Sequence, residues 1–251
     1  DDANITVVSP RYIPPLPDPA AALRDALARP IASAPLRDLV GVDDTVAIVF
    51  SDITRPTPNH LMLPAVLEAL AHVPAGNIVL CNALGTHRPN TPAELDQMLG
   101  AEIARRYRIE QNNCFDPSTQ VYLGESRNGH PIWINRAYME ADVKILTGFI
   151  EPHFFAGFSG GGKAVMPGMA GQVTVLGNHD AGMIGNPRAT WGVTTGNPIF
   201  EEVREVGLRT EPAFLLNVTL NRDKQVTGVF AGDLVAAHDA GIAFARQTTM
   251  A

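Results

Sequence analysis

Little in this 251-residue chain points to a membrane, a nucleic acid or an oxidising compartment. It has only two cysteines, Cys81 and Cys114, too few for a disulfide framework and not in CxxC spacing. A reducing cytoplasm is therefore the default location. No apolar run approaches the roughly 18 residues that a membrane span needs. No Lys/Arg-rich run is present, and the formal net charge is −7, which argues against nucleic acid or an anionic membrane as the main partner. A small anionic ligand would then need a local positive site. The start, Asp1-Asp2-Ala3, has no signal-peptide pattern and no methionine, so a short leader or tag is expected ahead of it. Internal repeats and low-complexity tracts are missing as well. What is present is a 45% hydrophobic composition, enough for one sizeable α/β core.

Short β-rich runs alternate with helical stretches, which predicts an α/β fold with a mainly parallel sheet, helices on both faces, and added β-hairpins. Val46–Phe50 reads as a strand and Pro64–His72 as part of the following helix. Asn77–Ala83 is the next strand. Thr91-Pro92-Ala93-Glu94 is a capping box with proline at the first helical position. Val121–Glu125 and Pro131–Ile134 flank the turn signal Asn128-Gly129. Asp142–Phe149 is a strand that runs into a glycine-rich segment. Phe214–Leu220 and Gln225–Phe230 predict a second hairpin, and Asp233–Gln247 a closing helix. The proline-rich stretch Pro14–Pro19 reads as a surface entry segment.

In open α/β sheets, ligands bind outside the carboxyl ends of the strands. Three loops at such positions carry chemistry. After Phe50 comes Ser51-Asp52-Ile53-Thr54-Arg55-Pro56, where Arg55 offers a planar fork for a carboxylate or phosphate and Asp52 could hold that fork. A surface ion pair is the plainer reading of these two residues alone. After Ala83 comes Leu84-Gly85-Thr86-His87-Arg88-Pro89, which presents a histidine suited to moving protons near neutral pH, or simply one bonded to a neighbouring carbonyl. After Phe149 comes Glu151-Pro152-His153-Phe154-Phe155-Ala156-Gly157-Phe158-Ser159-Gly160-Gly161-Gly162-Lys163. Its serine and three glycines, placed before a helix, predict a nest of open backbone N–H groups for a phosphate. Gly157–Lys163 also satisfies most of a P-loop pattern. Ala164 stands where the magnesium-ligating hydroxyl would be, and seven residues separate strand from loop, so a nucleotide triphosphatase is disfavoured. Gly177-Asn178-His179-Asp180 places one more histidine in a loop, which by itself reads as a surface residue.

Taken together, Asp52-x-Thr54-Arg55-Pro56, Gly85-Thr86-His87-Arg88-Pro89, the Glu151–Lys163 motif and Asn178-His179 resemble the lactate racemase family that uses the nickel-pincer nucleotide. The resemblance implies that Lys163 carries a pyridinium bis-thiocarboxylate mononucleotide through a thioamide link. It implies that the Ser159-Gly160-Gly161-Gly162 loop holds the phosphate, and that His179 is the protein ligand to Ni(II). His87 and His153 would be the two catalytic histidines and Arg55 the substrate-carboxylate arginine, with Asp52 near the nucleotide or the arginine.

The activity implied is racemisation or epimerisation of a small 2-hydroxy acid, lactate first among them, by reversible hydride transfer, with cofactor-maturation enzymes as partners. Hydride removal avoids a carbanion beside an ionised carboxylate, and return from either face calls for two bases. Phe154, Phe155 and Phe158 are expected to flank the site and exclude water. Residues 1–251 read as a single cofactor-binding catalytic domain, and the resemblance implies that the family's carboxy-terminal domain is expected outside them. Two other readings remain: a cofactor-binding domain without turnover, and a phosphate-binding enzyme with a degenerate P-loop.

Overall fold

The computed structural model describes residues 11–250; the Asp1–Ala3 start lies outside them. The strands are β1 (Val46–Ser51), β2 (Ile78–Ala83), β3 (Arg108–Gln111), β4 (Gln120–Glu125), β5 (Pro131–Asn135), β6 (Val143–Phe149), β7 (Pro152–His153), β8 (Gly157–Phe158), β9 (Phe214–Leu220) and β10 (Val226–Gly232). The helices are α1 (Pro19–Ala28), α2 (Asn59–Ala69), α3 (Pro92–Leu99), α4 (Ala101–Arg106), α5 (Arg136–Met139), α6 (Gln172–Asn178), α7 (Ala181–Ile184), α8 (Pro198–Arg209) and α9 (Leu234–Thr249).

Six strands form one sheet in the order β10-β9-β6-β1-β2-β3. All neighbours are parallel except β9 and β10, which return on each other through the Asn221–Lys224 turn. The central strand shows why both faces are covered. Val46, Ile48 and Phe50 pack with Leu23, Leu63 and Leu95 from α1, α2 and α3. Ala47 and Val49 face the other way, toward Val203 of α8, Ala237 of α9 and Ile132 of β5. Successive side chains point to opposite faces, so a strand buried on both sides must be apolar at every position.

The β4–β5 hairpin forms as its turn signal predicts, but as a separate two-stranded sheet. The α3 capping box closes in both directions, between the Thr91 side chain and the Glu94 backbone and the reverse. α2 starts at Asn59, earlier than its periodicity suggests, and ends before His72. Pro64 lies inside it. The N–H that proline lacks would have bonded the carbonyl of exposed His60, where water can substitute. No helix among the described residues is long and apolar enough to cross a membrane.

The chain enters at β1, moves through α2 to β2 on one side, and later places β6 on the other side of β1. The strand order therefore reverses at β1, and the carboxyl ends of β2, β1 and β6 stand side by side. This is where an open α/β sheet forms its crevice.

Candidate functional site

The loops leaving β1, β2 and β6 enclose a cleft of about 260 Å³. It brings together Asp52, Arg55, His87, His153, Ser159, Gly160, Lys163 and His179, residues spread over more than half of the chain. Gly161 and Gly162 do not line it and are buried.

Asp52 is buried, and its Oδ2 lies 2.7 Å from Nδ1 of His87, whose side chain is 43% exposed. A carboxylate can only accept here, so Nδ1 carries the proton and Nε2 keeps its lone pair. The Thr54 hydroxyl donates to the other carboxylate oxygen at 2.9 Å. Asp52 therefore orients His87 rather than the Arg55 fork, which corrects the sequence expectation. β1 and β2 bring the two loops edge to edge, which puts the His87 ring within reach of the carboxylate. The Arg55 guanidinium makes no ion pair among the described residues and remains free for an anion.

His153 receives the Ala156 N–H on Nδ1 at 3.3 Å and meets the edge of Phe155 with ring centroids 4.7 Å apart. Burial, reinforced by the positive charges of Lys163 and Arg55, pushes His153 down to about 3. The Lys163 amine has no carboxylate partner within salt-bridge distance among the described residues; desolvation and the Arg55 charge lower it to about 8. About a tenth of it is thus the free, nucleophilic amine at pH 7, far more than for an ordinary lysine. His179 caps the C-terminus of α6, and its Nδ1 donates to the Val175 carbonyl at 3.0 Å. That bond leaves the Nε2 lone pair available. Burial and Lys163 hold His179 below its ordinary value, so the ring stays neutral.

The glycine loop differs from the open nest that its composition suggests. Ser159 N–H donates to the Glu151 carbonyl at 2.9 Å, Gly161 N–H to Asn217 Oδ1 at 2.8 Å, and Lys163 N–H to the Gly160 carbonyl at 3.1 Å. The Ser159 hydroxyl is likewise engaged, with the Phe149 carbonyl at 2.9 Å. The loop runs into a short 3₁₀ turn, Gly161–Ala164, rather than a helix. Gly161 has φ of +54°, and a Cβ there would fall 2.3 Å from the ring of His238. Gly161 and Gly162 serve close packing, so the loop presents fewer open N–H groups to the cleft than a P-loop does.

Of the three aromatics expected to seal the site, Phe155 lines the cleft. Phe154 is 78% exposed and Phe158 is buried beside Ile150 and Phe200. Glu151 also lines the cleft beside Arg55; its place in the motif is visible in the sequence, but nothing local there points to a role. Asn217 and His238, which support the glycine loop, had no sequence signal at all, because they come from β9 and α9.

The residues present suit a tethered, metal-bearing nucleotide. A desolvated amine without an ion-pair partner and a neutral imidazole with a free lone pair share one cleft. No group of three His, Cys, Asp or Glu side chains converges among the described residues, so a metal beside His179 would take its remaining donors from a bound molecule.

A doubly wound sheet with cations and imidazoles gathered at its switch point defines a ligand-binding α/β domain. More specifically, the chain belongs to the family described as the lactate racemase N-terminal domain, whose sequence model matches residues 1–192. It is 39% identical over 223 residues to lactate racemase of Lactiplantibacillus plantarum, covering 88% of this chain and 53% of the relative. The lactate racemase of Thermoanaerobacterium thermosaccharolyticum is 33% identical over 226 residues, covering 90% of this chain and 53% of that protein. The chain thus spans about half the length of these relatives. The solved lactate racemase apoprotein of Thermoanaerobacterium thermosaccharolyticum superposes with a TM-score of 0.88 at 30% identity, covering 96% of this chain and 63% of that structure. A Thermotoga maritima protein shares the fold with a TM-score of 0.77 at 23% identity, covering 91% of this chain and 59% of that one.

Proposed function

We propose that this chain is the cofactor-carrying part of an enzyme that racemises or epimerises a small 2-hydroxy acid, with lactate the first substrate to test. The observation that carries the reading is the convergence of Arg55, His87, His153, Lys163 and His179 in one cleft, in a chain whose relatives are named lactate racemase. Lys163 would hold a nickel-pincer nucleotide covalently and His179 would supply the protein donor to Ni(II), with Ser159 and Gly160 alongside. When bound, that group supplies an electrophilic carbon able to take a hydride from the carbinol carbon.

The chain's own residues do the rest. The free Arg55 fork binds and orients the substrate carboxylate. His87, held with its Nε2 unprotonated, takes the hydroxyl proton while Asp52 stabilises the resulting imidazolium. Loss of that proton together with the carbinol hydrogen as hydride would leave the planar carbonyl of a 2-oxo acid, whose two faces are then open to return. His153 serves the alcohol of opposite hand, and the two histidines exchange acid and base roles with direction. Tethering removes the Lys163 charge, and a substrate carboxylate on Arg55 offsets the other, so that burial alone still holds His153 down and it becomes a better base. Phe155 shields the cleft from water.

The test uses protein matured with the enzymes that build the cofactor. Lys163→Ala should lose the covalent adduct in the intact mass; an unchanged adduct would remove the attachment site. Interconversion of lactate enantiomers, with malate beside it, then separates catalysis from storage. A second reading, a cofactor-binding domain without turnover, is favoured by the chain's spanning about half of its relatives. It expects adduct and nickel but no interconversion of either enantiomer.

A further inference from the structure

Away from the cleft lies a second polar cluster, centred on a carboxylate that the chemistry above does not use. Glu202 of α8 is 2% exposed. Burying a carboxylate is costly unless several donors satisfy it, and three do so here. The Ser126 hydroxyl bonds Oε1. His130 Nδ1 lies 2.9 Å from Oε1, and Asn178 Nδ2 donates to Oε2 at 2.7 Å. Ser126 and His130 flank the turn of the β4–β5 hairpin, and Asn178 ends α6. One carboxylate therefore ties α8 to the hairpin and to the residue just before His179.

The grip on residues 177–180 is selective. A Cβ on Gly177 would fall 2.8 Å from the His130 ring, so that ring lies directly on the glycine. Asn178 is 1% exposed, and its side-chain oxygen finds no partner among the described residues, so Glu202 supplies its polar anchor. Asp180 Oδ2 stands 3.8 Å from His130 Nε2. Gly177 and Asn178 are held by His130 and Glu202 and Asp180 caps the Met183 N–H, whereas His179 alone turns toward the cleft. Its ring is then fixed by the Val175 carbonyl and the edge of Phe155, with centroids 5.2 Å apart.

We infer that Glu202, with His130 and Asn178, forms a positioning unit that aims the Nε2 lone pair of His179 into the cleft. The inference rests on the reading of His179 as the nickel ligand and deepens it. Partners that orient a ligating histidine commonly matter about 10- to 100-fold in metal affinity. A buried Glu202 whose only task was to staple hairpin to helix would affect folding and leave metal retention alone.

The experiment challenges matured, nickel-loaded protein with excess EDTA and follows nickel per covalent adduct over time. In Asn178→Ala and Glu202→Ala, nickel should leave about tenfold faster or more, with the adduct mass unchanged. Glu202→Gln, which can still accept from Asn178, should keep nickel release well under the roughly tenfold acceleration of Glu202→Ala. On the unloaded protein, ¹⁵N spectra of the histidine rings should show His179 as a single Nδ1–H tautomer in wild type and a tautomer mixture in Asn178→Ala. If Glu202→Ala fails to fold, Asn178→Ala and His130→Ala carry the measurement. Wild-type nickel release and a single tautomer in the folded variants would overturn the inference. His179→Ala is the control for the underlying reading: wild-type nickel retention there removes the ligand itself. Fast release in His179→Ala beside wild-type release in Asn178→Ala removes only the positioning unit.

Discussion

Asp52 is almost entirely buried while the histidine it bonds is open to the cleft, so the pair is anchored at one end and available at the other. Replacing the carboxylate by an amide keeps the shape and changes the proton's place. Asp52→Asn can donate to Nδ1, which leaves the proton on Nε2 and removes the base. The cofactor-loaded variant should lose on the order of 10²-fold or more in kcat with a much smaller change in KM. Steady-state racemisation rates check this, and a kcat near that of wild type would contradict the role given to the pair. At this scale the sequence was readable for identities: Arg55, His87, His153, Lys163 and His179 all reach one cleft from motifs that follow strands or a helix. Pairing was less readable. The bond from Asp52 to His87 spans 35 positions and exists because β1 and β2 are neighbours, which no local spacing reveals. The same holds for Asn217 beneath Gly161, 56 positions away.

Among the elements, those with strong punctuation appeared where expected. The Thr91 box, the Asn128-Gly129 turn and the all-apolar β1 depend on chemistry within a few residues, so the sequence carries them plainly. Thr91→Ala removes the acceptor for the Glu94 N–H and should cost about 1 kcal/mol, read as a lower urea midpoint with an unchanged slope. A midpoint equal to that of wild type would mean that α3 is held by packing alone. α1 and α8 were not anticipated, although Asp18-Pro19 and Asn197-Pro198 start them with a capping side chain and a proline at the first position. The apolar stripe of α1 is short, with Leu23 and Leu27 buried, and tertiary contact stabilises both helices. The segment before Lys163 differs from its sequence reading for the opposite reason. Its glycines looked like an exposed phosphate loop, but glycine also permits backbones to approach closely, and here α8, β9 and α9 close in on them.

Across the whole molecule, the buried His238 links folding to acidity. Its Nε2 donates to the Ser159 carbonyl at 2.9 Å, and burial holds it down to about 4. An unfolded histidine titrates near its ordinary value, about 6.5. Below that pH the unfolded chain takes up a proton that the folded chain refuses until about pH 4, so stability is full above the unfolded value and falls through this window. By pH 5 the loss from this one group is about 2 kcal/mol. His238→Gln retains an N–H for Ser159 and has no such proton to bind, so its urea midpoint should fall less between pH 7.5 and pH 5. Parallel slopes for variant and wild type would contradict the assignment. The net charge of −7 coexists with a cleft in which Arg55 and Lys163 have no ion-pair partners among the described residues. Attraction for a small anion is therefore local.

The cleft's three walls differ in how they can change. Arg55 and His87 stand on segments with exposed tips, where neighbouring side chains can be exchanged without repacking the core. The segment bearing Lys163 is wedged by Asn217, Val203 and His238 with no room for a single methyl group. Redesign for bulkier acids should begin at the two compliant walls, because a length change in the third would swing the amine out of reach before it widened anything.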